Sequence, residues 1–137
     1  MATTLRHVLI ADDEQLVQKT FKFCLEEVGY KVGLAGNGRE ALRYVKAHNP
    51  GLVLLDVFMP DCDGLETLLE IKRHSPTTRV IVISGGGINN RYEFLSMAPK
   101  LGADAIIKKP VSPRDLIAML EPTGPWAVPE RQRHILS

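Results

Sequence analysis

Acidic side chains follow two apolar segments of the sequence. Asp12 and Asp13 follow the segment that ends at Ala11, and Asp56 follows Leu55. Three carboxylates gathered in a poorly solvated site repel one another strongly, so such a set is suited to a hard divalent cation. Mg²⁺ is the natural candidate because it takes oxygen ligands, keeps several waters and leaves room for a phosphate oxygen. Beside such an ion, a buried Asp56 carboxylate can attack phosphorus as a nucleophile.

Five strands alternating with five helices are predicted to position these side chains. The strand segments are His7 to Ala11, Lys31 to Ala35, Leu52 to Leu55, Val80 to Ile83 and Ala105 to Ile107. Short connections and right-handed crossovers favour a doubly wound parallel sheet with helices on both faces. We therefore expect a flavodoxin-like α/β fold with strand order 2-1-3-4-5. Ligands of such sheets bind where the winding reverses, which would bring Asp12, Asp13 and Asp56 together.

The helix signals differ in strength. The first helix is predicted to bury one face, made by Leu16, Val17, Phe21, Cys24 and Val28. Asn37 is the expected N-cap of the second helix, and the third follows Gly64. Ser112 is the expected N-cap of the fifth. The fourth, roughly Arg91 to Leu101, is expected to be broken or kinked in its last turn because Pro99 has no backbone N–H.

Length and charge bound the remaining possibilities. The 137 residues, 45% of them hydrophobic, are expected to form one domain over 1–121 and a mobile, Pro-rich tail over 122–137. The 17 basic and 16 acidic residues leave a net charge of +1, which argues against a nucleic-acid partner or a membrane-binding face. No apolar run suits a signal peptide or a membrane span, so the cytoplasm is the expected location. Cys24 and Cys62 lack metal-binding spacing and are expected to be reduced thiols.

The order and spacing of short motifs point to a family. The motifs are Asp12-Asp13, Asp56-Val57-Phe58-Met59-Pro60, Asp63-Gly64, Ser84 and Lys109-Pro110. Each is weak alone, but each follows a predicted strand, and the order and spacing of the set are specific. Together they resemble the receiver domains of two-component response regulators, over nearly everything except the tail. We expect a receiver that stands alone, without an output domain.

The resemblance implies a metal site and a phosphoacceptor. Asp13 and Asp56 would bind Mg²⁺ directly, Asp12 would support it through water, and the Phe58 backbone carbonyl would complete the protein ligands. Asp56 would then accept the phosphoryl group. The ring of Phe58, two residues past the phosphoacceptor, is expected to screen the acyl phosphate from water.

The resemblance also implies how the phosphoryl group is held. Ser84 would donate a hydrogen bond to one phosphoryl oxygen, and the Lys109 ammonium would pair with another. The Lys109–Pro110 peptide is expected to be cis. Receivers commonly carry Tyr or Phe three residues before this lysine, where this chain has Ile106. We therefore expect a switch that runs through Ser84 and the loop after it, while Ile106 stays packed.

The predicted function follows from this resemblance. The chain would take a phosphoryl group from a histidine kinase or a histidine phosphotransfer protein and then switch a downstream protein that the sequence does not identify. It would be no enzyme towards other molecules. One alternative is a receiver-like interaction module that is not phosphorylated. Another is a small aspartyl-phosphate phosphatase, which is disfavoured because Phe58 stands where such enzymes carry a second acid.

Parts of the sequence pattern also fit other interpretations. Gly36-Asn37-Gly38-Arg39-Glu40-Ala41 fits a dinucleotide-binding fingerprint, but it follows the second strand and leaves Asp12, Asp13 and Lys109 unexplained. Asn37 as a helix N-cap explains the segment more simply. Taken alone, the acids at 12–14 are typical of a helix N-terminus.

Overall fold

In the computed structural model, the described residues are 6–57, 64–84 and 97–120. Within these ranges the chain forms five strands, four α-helices and one short 3₁₀ helix. In chain order they are β1 (His7–Ala11), α1 (Gln15–Glu27), β2 (Lys31–Ala35), α2 (Gly38–His48), β3 (Leu52–Asp56), α3 (Gly64–His74), β4 (Arg79–Ser84), η1 (Ala98–Leu101), β5 (Ala105–Lys108) and α4 (Pro113–Leu120). The strands are parallel in the order β2-β1-β3-β4-β5, which confirms the predicted topology.

The predicted fourth helix is described only at its end. There the chain forms the 3₁₀ helix η1, whose first turn contains Pro99, and residues 91–96 lie outside the described ranges. Within the described part of the chain, no helix is both long enough and apolar enough to cross a membrane. Other predictions also fall outside it, namely those on Phe58, Cys62, the loop at 85–87 and the tail over 122–137.

Both faces of the sheet are buried by helices. Val8 and Ile10 of β1 pack in one core with side chains of α1 and α4. Leu9 and Ala11, which point to the opposite face, pack in a second core with α2 and α3. Burial on both faces explains why the strands are almost continuously apolar in sequence, without polar alternation.

The buried face of α1 differs from the predicted one. Phe21 and Leu25 are its buried residues, whereas Leu16 is 78% exposed and Val28 is 43% exposed. Val28 is the C-cap, and its ψ of 16° takes it out of the regular helix. Phe23 on the solvent side is also exposed. The predicted buried face was therefore wrong at Leu16 and Val28. Because α1 carries apolar residues on both its buried and its solvent side, the spacing of apolar residues did not identify the buried side correctly.

The predicted N-caps of α2 and α4 are confirmed. The Asn37 side chain accepts a hydrogen bond from the Glu40 N–H at 2.9 Å, and Glu40 Oε1 accepts one from the Gly36 N–H at 2.7 Å. This reciprocal pair closely resembles a capping box and accounts for the polar segment after β2. Ser112 Oγ accepts a hydrogen bond from the Asp115 N–H at 3.0 Å.

His7 ties the amino end of β1 to α2. Its buried Nε2 shares a hydrogen bond with the Tyr44 hydroxyl, and the Tyr44 and His48 ring centroids are 4.4 Å apart. Tyr44 lies directly against Gly33, where an added Cβ would come within 2.2 Å of the ring. The glycine inside β2 therefore makes room for the tyrosine that reaches His7.

This contact predicts a pH-dependent stability. Burial lowers the pKa of His7, and the charges of Lys31 and His48 lower it further. The pKa of a histidine in an unfolded chain is about 6.5, which is higher than that of His7 in the folded protein. The unfolded chain therefore binds the proton more readily than the folded one. The contribution of His7 is therefore full above about pH 6.5 and is lost as the pH falls through the lower pKa of the folded state.

Below about pH 6.5, we expect the free energy of unfolding of the wild type to fall more steeply with decreasing pH than that of His7→Gln. The two slopes should differ by at most about 1.4 kcal/mol per pH unit, the value for one titrating group. Urea unfolding between about pH 8 and about pH 5 measures both slopes. Tyr44→Phe is the control, because it removes the hydrogen bond and leaves the titrating ring. It should lose stability and keep the wild-type slope. Parallel curves for wild type and His7→Gln would contradict the assignment.

Candidate functional site

Three carboxylates meet at the carboxyl ends of β1 and β3. These strands are neighbours, and the pairing of Ala11 with Leu55 places Asp12 beside Asp56. Asp12 and Asp56 are buried at 4% and 5% exposure, whereas Asp13 is exposed. One oxygen from each of the three acids lies within 4.8 Å of the others. The fold thus brings the acids of two distant sequence segments into one cluster.

Lys109, directly after β5, reaches this cluster. Its Nζ lies 3.2 Å from Asp56 Oδ2, 3.3 Å from Asp12 Oδ2 and 3.9 Å from Glu14 Oε1. Burial acts to lower the pKa of Lys109, but the charges and hydrogen bonds of Asp56 and Asp12 outweigh it and raise the pKa. Lys109 therefore remains an ammonium at neutral pH. The predicted cis peptide between Lys109 and Pro110 is confirmed.

Ser84 ends β4 beside the same cluster. Its carbonyl accepts a hydrogen bond from the Lys109 N–H at 2.8 Å, so the ends of β4 and β5 are joined there. The side chain is 2% exposed, and its Oγ has no hydrogen-bond partner among the described residues. Leaving a buried hydroxyl unpaired costs about 1–3 kcal/mol. A buried hydroxyl without a partner among the described residues can donate to an external acceptor.

Glu14, which was not among the predicted site residues, also lies beside the site. It is the N-cap residue of α1, but its side chain makes no capping hydrogen bond. Its backbone N–H instead donates to Asp12 Oδ1 at 2.9 Å, and its carboxylate faces Lys109. The only sign of this role in the sequence is the run of three acids at 12–14. Three carboxylates thus face one ammonium, Asp13 lies beside two of them, and the site carries a net negative charge.

An apolar cavity of about 410 Å³ extends from the carboxylates towards α1. Asp12, Asp56 and Lys109 line one part of it. Its apolar walls include Ile10, Val17, Phe21, Leu54, Ile83 and Val111. Because apolar walls polarise poorly, repulsion between the acids and attraction to a cation are both stronger here than in water.

The donor set fits one hard cation. Ligand atoms on opposite sides of one Mg²⁺ are about 4.2 Å apart, since each Mg–O distance is about 2.1 Å. One carboxylate oxygen from each of Asp12, Asp13 and Asp56 lies within 4.8 Å of the others, a spacing close to that of ligands around a single ion. Carboxylate oxygens are also the ligands that Mg²⁺ prefers. The predicted Phe58 carbonyl ligand lies outside the described residues.

Ile106 lies on the other side of the sheet from this cluster. It is half-buried on β5, pairs with Val82 of β4 and packs against the core formed with α2 and α3. The next residue, Ile107, packs in the opposite core, on the face shared with the α1 side of the site. The role of Ile106 in switching stays a prediction.

Comparisons with known proteins agree with this architecture. The sequence profile described as response regulator receiver domain matches residues 8–121. The transcriptional regulatory protein SrrA of Staphylococcus aureus is 30% identical over 131 residues, which are 93% of this chain and 53% of that protein. A CheY-like receiver domain protein from Methanospirillum hungatei JF-1 superposes with a TM-score of 0.74 at 34% identity, covering 82% of this chain and 88% of that one.

The receiver domain of NtrX from Brucella abortus gives a TM-score of 0.71 at 33% identity, covering 80% of this chain and 91% of that one. This chain therefore belongs to the response regulator receiver domain family. It spans about half the length of the curated relatives that it matches. These relatives are named transcriptional regulatory proteins, so the predicted lack of a nucleic-acid partner stays a prediction.

Proposed function

We propose that this chain is a phosphoaccepting receiver that takes a phosphoryl group onto Asp56 in the presence of Mg²⁺. The donor would be a phosphohistidine of a histidine kinase or of a histidine phosphotransfer protein in the cytoplasm. The observation that carries the proposal is the buried Asp56 carboxylate, gathered with Asp12 and Asp13 within 4.8 Å and with Lys109 Nζ at 3.2 Å. The outcome would be a changed surface offered to a partner protein.

The transfer step can be written with the side chains of this chain. An Asp56 carboxylate oxygen attacks phosphorus, a new P–O bond forms, and the P–N bond of the phosphohistidine breaks. The electron pair of that bond remains on the imidazole nitrogen of the donor. Asp13 and Asp56 would hold Mg²⁺, which would supply positive charge to offset that of the phosphoryl oxygens.

Two further side chains would hold the transferred group. The Lys109 ammonium, which now contacts Asp56, would pair with a phosphoryl oxygen once Asp56 carries the phosphoryl group. The Ser84 hydroxyl would donate to a second oxygen and so gain the partner that it lacks among the described residues. Both groups stand at strand ends, which suits positioning with little reorganisation. The chain would therefore modify itself and turn over no other substrate.

Intact-mass spectrometry after incubation with acetyl phosphate tests this proposal. We expect a gain of one phosphoryl group per chain with Mg²⁺ and no gain when EDTA replaces Mg²⁺. An unchanged mass under both conditions would favour the unphosphorylated interaction module. Steady release of phosphate from a simple phosphomonoester would favour the phosphatase.

A further inference from the structure

The Asp13 side chain is placed by its backbone alone. Within the described part of the chain, its carboxylate makes no hydrogen bond or ion pair, and it is exposed. Its direction therefore depends on the turn that joins β1 to α1. One hydrogen bond holds this turn: the Asp12 N–H donates to the carbonyl of Ala35, the last residue of β2, over 3.0 Å.

Gln18, near the start of α1, makes a further hydrogen bond to the segment that joins β1 to α1. Its Nε2 donates to the Asp12 carbonyl and also to the Ala35 carbonyl, the latter at 3.1 Å. An amide nitrogen carries two protons, so one side chain can satisfy both acceptors. A single half-buried amide thereby links α1 to the carboxyl ends of both β1 and β2.

We propose that Gln18 is a positioning residue for Mg²⁺ binding, an inference that rests on the proposed function. By fixing the Asp12 carbonyl, it fixes the peptide that precedes Asp13 and so aims the Asp13 carboxylate. Metal ligands must be held within about 0.5 Å of their working positions. Groups that orient ligands without touching the metal typically change metal affinity by about 10–100-fold when they are removed.

The sheet does not need this amide to form. β1 and β2 are joined by a parallel ladder that pairs every residue from His7 with Lys31 to Ala11 with Ala35. Removing two hydrogen bonds beyond the end of that ladder should leave the strands paired. The loss should therefore fall on the placement of Asp13 and not on the global fold.

The test compares Gln18→Met with Thr20→Val. Methionine keeps the length of glutamine without its protons, and Thr20 is a matched control because its hydroxyl donates within α1 to the Leu16 carbonyl at 2.7 Å. We expect calorimetric titration to show Mg²⁺ affinity about tenfold weaker in Gln18→Met and unchanged in Thr20→Val. Labelling by acetyl phosphate should be slow at limiting Mg²⁺ and return to the wild-type rate at saturating Mg²⁺. Gln18→Asn, whose amide is too short to reach both carbonyls, should behave like Gln18→Met.

The outcomes separate the two ideas. If both Gln18 variants bind Mg²⁺ as tightly as the wild type, the inference is wrong. It is also wrong if saturating Mg²⁺ fails to restore the labelling rate, because the defect would then be a general one. A wild-type protein that neither binds Mg²⁺ nor becomes labelled would overturn the proposed function itself.

Discussion

Asp56→Asn should abolish labelling by acetyl phosphate and Mg²⁺, with the intact mass unchanged at a time when the wild type is fully labelled. The amide has nearly the shape of the carboxylate, so the buried position at the end of β3 can accept it. It lacks the anionic oxygen that attacks phosphorus. Removing the nucleophile of a covalent step lowers its rate by at least about 10³-fold, which lies below detection here.

The matched control is Asp115→Asn, which makes the same change on the exposed first turn of α4. This variant should be labelled at the wild-type rate. Circular dichroism of Asp56→Asn should match that of the wild type, which excludes unfolding as the reason for lost labelling. Labelling that survives in Asp56→Asn would assign the phosphoryl group to another acid and refute the role given to Asp56.

Strand ends and helix caps are predictable here because local chemistry sets them. Asn37 and Ser112 accept hydrogen bonds from the backbone three residues later, a contact that depends on few neighbours. The cluster of Asp12 and Asp56 is predictable for a related reason. Once five parallel strands are ordered, residues that follow adjacent strands must meet at one edge of the sheet.

Contacts between side chains far apart in sequence escape this reasoning. Gln18 reaches the Ala35 carbonyl across 17 residues, and His7 reaches the Tyr44 hydroxyl across 37. Such contacts depend on helix rotation against the sheet, which apolar periodicity leaves open when both sides of a helix carry apolar residues. Only Gly33 signals one of them, since a glycine inside a strand marks a close approach by another group.

Replacing Lys109 by methionine should destabilise the protein in a way that Mg²⁺ reverses. The ammonium bridges Asp12 and Asp56, whose side chains are 6% and 7% exposed. Removing one partner of a buried ion pair costs about 3–5 kcal/mol. The Lys109 side chain is 25% exposed, so water partly screens the ion pair. We therefore expect the free energy of unfolding of Lys109→Met to fall by about 3 kcal/mol, the lower end of this range, at neutral pH in EDTA.

Mg²⁺ should recover much of that loss. A ligand that binds only the folded state stabilises it more as its affinity rises, and the carboxylates of Lys109→Met no longer share their charge with an ammonium. Mg²⁺ should therefore bind the variant more tightly than the wild type and raise its unfolding free energy by more. Acetyl phosphate labelling should nevertheless be slower, since no ammonium is present to pair with the phosphoryl oxygen.

Urea unfolding in EDTA and in saturating Mg²⁺ measures this coupling for Lys109→Met and wild type. Lys108→Met is the matched control, because Lys108 is the exposed neighbour at the end of β5 and makes none of these carboxylate contacts. It should behave as the wild type does in both solutions. An equal Mg²⁺-induced gain in all three proteins would show that Lys109 and the cation do not act on the same carboxylates. In that case the metal site must lie elsewhere, whereas a larger gain confined to Lys109→Met places the cation among Asp12, Asp13 and Asp56.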